Sequence, residues 1–331
     1  MKKKIFFLST ENGCNNNCIG CADNNFNRHK NKNGRSLNEI KKDLKEGVNA
    51  GFEILHIAGG EFTIQDNIFD ILDLAKKSYD EIFITSNGRM FSNLEFSKNI
   101  AKYNLNQINI TLAGKDSKTH DLWTNVEGSF NQVIKGIINL KNLNQKININ
   151  LLYWKQDYNQ VYEMLELLKK LGVDTISIFN LVPLGKAKPI FKELTTTLKQ
   201  QATLENQVKK SNLSNVTFED FPYCIFSKEF LEEITIINTS GMIYKNELGQ
   251  VINYSLFVAR ENNVNIESNL KFQEDVKGKE TLFKEYRKKI EVCNNCSKKN
   301  LCKGVFEKYI EDFGKENVEK ELKLLMEENL K

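Results

Sequence analysis

Residues 4–21 read KIFFLSTENGCNNNCIGC, an apolar, β-rich run that breaks into a polar loop carrying three cysteines. Its apolar part, Ile5 to Leu8, is too short for a secretory h-region, and no small-residue cleavage site follows. The stretch Lys4–Thr10 therefore reads as a buried first strand. Five runs of the same kind follow, at Glu53–Ala58, Glu81–Ser86, Gln107–Leu112, Lys146–Leu152 and Thr175–Val182. Ile, Phe, Leu and Val dominate most of them, a composition expected of strands covered on both faces.

Helical patterns fill the gaps. Ser36 and Glu39 have capping-box spacing, and Leu37, Ile40, Leu44 and Val48 then share a face. Ser129 is placed to cap a helix whose stripe is Phe130, Val133, Ile134, Ile137 and Ile138. Val161, Met164, Leu165 and Leu168 mark another helix, which Gly172 ends. Strict strand–helix alternation predicts a parallel sheet with right-handed crossovers. Six such units are too few to close an eight-stranded barrel. The expected fold class is α/β, an open partial (β/α)6 TIM-type barrel that binds ligands at the C-terminal ends of its strands.

The alternation stops after Gly185. Residues 189–211 read as polar helix, Glu233–Tyr244 as a hairpin turning at Asn238–Gly241. From Lys315 onward an amphipathic helix carries Val318, Leu322, Leu325 and Met326. The expected division is a barrel over residues 1–190 and a small α+β domain over residues 191–331.

The chain has 331 residues, 40% of them hydrophobic and 27% charged, as in an ordinary soluble globular protein. Its 47 basic and 43 acidic residues leave a net charge of +4, which makes no case for nucleic acid as a partner. No apolar run reaches membrane-spanning length. A cytoplasmic protein is expected, and there the seven cysteines stay reduced rather than pair as disulfides.

Cys14, Cys18 and Cys21 form a C-x3-C-x2-C run directly after the first strand. Three thiolates are one fewer than a closed cubane uses, so one iron stays open to a ligand. A structural zinc site would want a fourth ligand, and the nearest histidine, His29, lies in a polar, basic loop. This spacing resembles the defining motif of the radical S-adenosylmethionine (SAM) superfamily. Other strand ends carry the resemblance further. Ala58-Gly59-Gly60-Glu61 is similar to the family's GGE motif, with Phe62 where proline is usual. Thr85-Ser86-Asn87-Gly88 resembles the turn near the SAM ribose. Ile110-Thr111-Leu112-Ala113-Gly114 looks like the S-L-D-G segment, with Thr for Ser and Ala for Asp. His120-Asp121 and Gly128-Ser129-Phe130 follow, as in many relatives. Pro183-Leu184-Gly185 closes the sixth strand, where the family's backbone commonly meets adenine. Gly20 stands where many relatives carry an aromatic residue, and Phe26 is the candidate to replace it. The resemblance implies a [4Fe–4S] cluster on Cys14, Cys18 and Cys21. It also implies SAM held by Gly59, Gly60, Glu61, Ser86 and Thr111.

Cys293, Cys296 and Cys302 form a C-x2-C-x5-C run, with Cys224 upstream. The arrangement resembles the superfamily's C-terminal auxiliary-cluster domains, called SPASM in the long form and twitch in the short one. Two cysteines of the long form would fall at Asn246 and Phe306, so the twitch-like form with one second [4Fe–4S] cluster is implied. A zinc ion on four thiolates is the alternative.

In that family the reduced cluster cleaves SAM, and the 5′-deoxyadenosyl radical takes hydrogen from a substrate. An auxiliary cluster often accompanies net oxidation, and three plus four cysteines leave none as a thiol hydrogen donor. The resemblance thus implies oxidative cross-linking or dehydrogenation of a ribosomally made peptide, with flavodoxin or ferredoxin as electron donor. The cluster begins at residue 14, so a separate peptide-recognition protein is the expected partner rather than a fused domain. Cofactor or small-metabolite biosynthesis is the rival reading, and a non-catalytic zinc-binding scaffold a third. No acid–base residue is singled out. His56 reads as a core histidine, and Trp123 and Trp154 as either cavity wall or packing.

Overall fold

Isoleucine at every second position builds the sheet. Ile82 and Ile84, Ile108 and Ile110, Ile147 and Ile149, and Ile176 and Ile178 are all buried, in one core with the helices. The computed structural model describes residues 5–10, 13–22, 35–237, 242–245, 251–254 and 287–329. Eight strands run parallel in chain order: β1 (Ile5–Ser9), β2 (Ile54–Ala58), β3 (Glu81–Ser86), β4 (Gln107–Leu112), β5 (Ile147–Tyr153), β6 (Thr175–Asn180), β7 (Val216–Glu219) and β8 (Thr235–Ile237). β1 and β8 are the two edges, so the barrel is open. Between the first six strands lie α1 (Leu37–Asn49), α2 (Ile68–Ser78), α3 (Leu94–Ala101), α4 (Ser117–Thr124) and α5 (Ser129–Asn142), and α6 (Val161–Lys170) precedes β6. The α/β partial-barrel class stands, with two more strands than the sequence displays. β7 and β8 are only four and three residues long, too short for an apolar period to stand out.

The opposite face of the sheet is mixed, with Phe7, His56 and Phe83 in one row across β1–β3 and polar side chains on β4 to β7. Gln107 Nε2 donates to Asn109 Oδ1 at 2.7 Å, Asn148 Nδ2 to Asn150 Oδ1 at 2.8 Å, and Thr217 Oγ1 to Ser177 Oγ at 3.0 Å. These groups pair within the barrel, so the strands carry polar as well as apolar side chains on the face away from the helices.

Local signals fare unevenly. The Ser36/Glu39 capping box forms in both directions, and Gly172 follows α6 with φ of 65°. Ser129 is not the cap of α5. It is the first helical residue, and the Asp121 carboxylate of α4 accepts from Gly128 N, Phe130 N and Ser129 Oγ at 2.7–2.8 Å. Val48 and Ile138, expected on buried stripes, are exposed. The arms of the expected 233–244 hairpin pair elsewhere. β8 adds to β7, while Met242–Lys245 pairs antiparallel with Val251–Tyr254. The turn at 238–241, and Phe26, His29 and Asn246, lie outside the described residues. The C-terminal helix Lys315–Asn329 buries Val318, Leu322 and Leu325 as its stripe requires.

Candidate functional site

The cysteine loop after β1 is tied to the ends of four other elements. Glu61 N donates to Gly13 O at 2.9 Å, from the turn after β2. Asn87 Nδ2 donates to Asn15 Oδ1 at 2.6 Å, from the turn after β3. Asn17 N and Ile19 N donate to Thr124 O and Trp123 O at 2.8 and 2.9 Å, at the end of α4. Lys186 N donates to Cys21 O at 2.8 Å, just beyond the Pro183-Leu184-Gly185 turn after β6. A short loop with little secondary structure is thereby hydrogen-bonded to each of those elements.

Arg89, not singled out from sequence, completes the clamp. Its guanidinium donates to Asn15 O, to Asn16 Oδ1 at 2.9 Å and to Gln132 Oε1 at 2.6 Å. Burial lowers its pKa, and the neighbouring Cys14, Glu61, Asp121 and Cys18 offset that by favouring the cation. Its position directly after the Gly88 turn was the available signal, a fixed charge at a strand end where ligands bind.

These elements surround one cavity of about 170 Å³. Cys14, Cys18 and Cys21 line it together with Gly59, Gly60, Glu61, Ser86 and Thr111, so all eight residues expected around the first site meet there. The Gly59–Gly60 turn needs positive φ at both positions, 102° and 54°, a backbone that other residues adopt only under strain. The Glu61 carboxylate is turned into the protein. Oε1 accepts from Ser86 Oγ at 2.7 Å, from Thr63 N at 3.1 Å and from Thr63 Oγ1 at 2.5 Å, and Oε2 accepts from Asn87 N at 2.6 Å. Burial raises its pKa, and those donors oppose the rise. The side chain thus locks the β2 turn to the β3 turn.

Trp123 lines the cavity, whereas Trp154 packs edge-on behind it at 4.9 Å and donates Nε1–H to Ala113 O at 2.9 Å. A Cβ on Gly20 would meet the Trp123 ring at 2.4 Å, so the indole occupies the space that a side chain at residue 20 would need. His56 is buried, with Nε2 at 2.8 Å from Thr85 Oγ1, and burial lowers its pKa to about 3.

Cys224, Cys293, Cys296 and Cys302 line a second pocket with Pro222, Leu322 and Met326. The Cys224 thiol is pushed well up by burial and by the neighbouring Cys302, Cys296 and Cys293. Burial also raises Cys293. A bound cationic centre favours the thiolate form of the cysteines that hold it, which would offset the rise at Cys224 and Cys293. Among the described residues no three His, Cys, Asp or Glu side chains converge closely enough for a single metal ion. Cys14, Cys18 and Cys21 share the first cavity, and Cys224, Cys293, Cys296 and Cys302 the second. Both sets therefore fit iron–sulfur clusters by donor chemistry.

Residues 8–168 match the family model described as the Radical SAM superfamily. An AdoMet-dependent heme synthase of Methanosarcina barkeri is 24% identical over 174 residues, which is 53% of this chain and 49% of that protein. A probable GTP 3′,8-cyclase of Saccharolobus islandicus is 28% identical over 160 residues, covering 48% of this chain and 51% of the relative. The chain spans about half the length of the curated relatives it matches. Among solved structures, Streptococcus suis SuiB bound to precursor peptide SuiA shares the fold over 93% of this chain and 73% of SuiB, with a TM-score of 0.62 and 18% identity. The anSMEcpe structure with bound AdoMet and Kp18Cys peptide aligns over 98% of both chains, with a TM-score of 0.64 and 16% identity. No helix among the described residues is long and apolar enough to cross a membrane. With the strand-end cysteine cavity inside the matched segment and the parallel partial barrel extending past it, residues 8–168 of this chain are a radical SAM superfamily domain.

Proposed function

We propose that the chain cleaves SAM reductively and uses the resulting radical to modify a ribosomally made peptide oxidatively. What supports the first half is the meeting of Cys14, Cys18 and Cys21 with the β2, β3 and β4 strand-end turns around one cavity. In this reading the three thiolates hold a [4Fe–4S] cluster. When bound, that cluster supplies the electron that splits SAM into methionine and a 5′-deoxyadenosyl radical. Gly59, Gly60, Ser86 and Thr111 bind SAM, and Glu61 keeps the glycine turn in register with β3. Trp123 walls off one side of the cavity and excludes water from it.

Cys224, Cys293, Cys296 and Cys302 hold a second cluster, in the part of the chain after residue 190, which also adds β7 and β8 to the barrel sheet. If bound there, the cluster would supply an acceptor for the electron left when a substrate loses hydrogen, which favours cross-linking or dehydrogenation. The peptide reading draws on SuiB and anSMEcpe, whose likeness covers both halves of this chain and whose structures hold peptides. Flavodoxin or ferredoxin as reductant and a separate peptide-recognition protein complete the proposal. A second reading, small-metabolite or cofactor synthesis, has its own support in the names of the sequence relatives.

The test is anaerobic reconstitution followed by measurement of iron, zinc and reductant-dependent 5′-deoxyadenosine. About eight irons per chain are expected, falling to about four in a Cys14/Cys18/Cys21→Ala variant that makes no 5′-deoxyadenosine. Zinc in the C-terminal site would remove the oxidative half. Neither iron nor SAM cleavage would sink the whole reading. A mass loss of two hydrogens on a candidate peptide, against turnover of a small metabolite, separates the two substrate classes.

A further inference from the structure

His120 stands in the cavity wall with one ring nitrogen committed and the other unpaired. Ala113 N donates to its Nδ1 at 3.1 Å, so Nδ1 is the acceptor and the neutral ring carries its proton on Nε2. Nε2 has no hydrogen-bond partner, although the residue is 1% exposed and lines the cavity. A buried N–H without an acceptor is destabilising. Such a donor beside a ligand cavity is a place to look for a ligand acceptor. Burial also lowers the His120 pKa to about 4, which keeps the ring neutral.

The other polar groups of the wall are mostly engaged. Ser86 Oγ is 2.7 Å from Glu61 Oε1, Asn87 Nδ2 donates to Asn15, Thr85 Oγ1 faces His56, and Thr124 Oγ1 is 2.6 Å from Ser129 Oγ. None of the described residues lining the cavity is Lys or Arg. SAM ends in an α-amino acid, whose carboxylate needs donors. The β2 side of the cavity offers glycine backbone and the Glu61 carboxylate, whose oxygens are already engaged by Thr63, Ser86 and Asn87. Thr111 of β4 and His120 of α4 line the same cavity.

We propose that His120 donates its Nε2–H to the methionyl carboxylate of SAM, a neutral donor serving where no cation among the described residues lines the cavity. The proposal rests on the reading of this cavity as the SAM site. It makes His120 a binding residue, one that distinguishes SAM from ligands without the carboxylate.

The test compares SAM with decarboxylated SAM, which keeps the ammonium and the adenosyl group. Dissociation constants of both are measured by equilibrium binding to the anaerobically reconstituted full chain, in wild type, His120→Phe and His120→Gln. Wild type is expected to prefer SAM by about ten- to a hundred-fold, the range of one or two charge-assisted hydrogen bonds. His120→Phe should lose most of that preference by weakening SAM alone. His120→Gln, which keeps a donor, should regain part of it. Iron content equal to wild type shows that each variant still assembles. Wild type binding SAM with a preference that His120→Phe leaves intact overturns the proposal while the site reading survives. Wild type with its iron in place that binds neither ligand overturns both.

Discussion

Arg287 Nη2 donates to Asp220 Oδ1 at 2.9 Å, and the two side chains are only 5% and 4% exposed. Asp220 lies shortly before Cys224, and Arg287 shortly before Cys293, so the pair joins the two chain segments that supply the second cysteine set. The guanidinium also sits 4.4 Å from the centre of the Phe306 ring. Breaking such a pair from one side leaves a buried, uncompensated charge, at a cost of about 3–5 kcal/mol. Arg287→Met should therefore lower the denaturation midpoint sharply and reduce iron at the second site. Adding Asp220→Asn should restore much of the loss. Equal stability of Arg287→Met and wild type in urea titrations would contradict this account.

Glu61 acts through acceptors, since each of its oxygens receives donors from its own chain. Glu61→Gln would turn an amide NH2 toward one of those donors. A loss of about 1–3 kcal/mol in stability is expected, with weaker SAM binding as the two turns loosen. Chemical denaturation and equilibrium binding measure the two effects separately, and a neutral substitution on both counts would rule out the locking role.

Gly20 and Trp123 compete for one volume. Gly20→Ala should destabilise by about 1–3 kcal/mol, the usual cost of forcing atoms into a packed site. In a Trp123→Leu background the same change should cost much less. Additive effects of the two substitutions in a double-mutant cycle would mean that they do not share the space.

Asp157 is fully buried, and burial with the adjacent Asp116 pushes its pKa up to about 7. An unfolded aspartate ionises near 3.9. Between those values the folded chain keeps a proton that the unfolded chain has released, so stability falls as pH rises from about 4 to about 7 and levels off above. Asp157→Asn should flatten that slope and raise the melting temperature most at pH 8. A slope unchanged by the substitution would assign it to other groups.

Much of this was legible in the sequence because it depends on neighbours in the chain. Six strands, the Ser36/Glu39 capping box and the placement of Cys14–Cys21 after β1 follow from apolar period and short-range spacing. β7 and β8 were hidden by their brevity, and the cap of α5 by its source, since Asp121 comes from another helix. Arg89, Trp123 and His120 were visible as residues but not in their roles. A guanidinium acquires partners 73 and 74 positions away, an indole fills the space above a glycine, and a backbone N–H chooses a tautomer. Sequence alone determined the strand order and the cysteine spacings, because periodicity and local geometry act over a few residues. Which side chains face the cavity, and which of their hydrogen-bonding groups remain unpaired there, was decided by packing between segments that only the tertiary structure brings together.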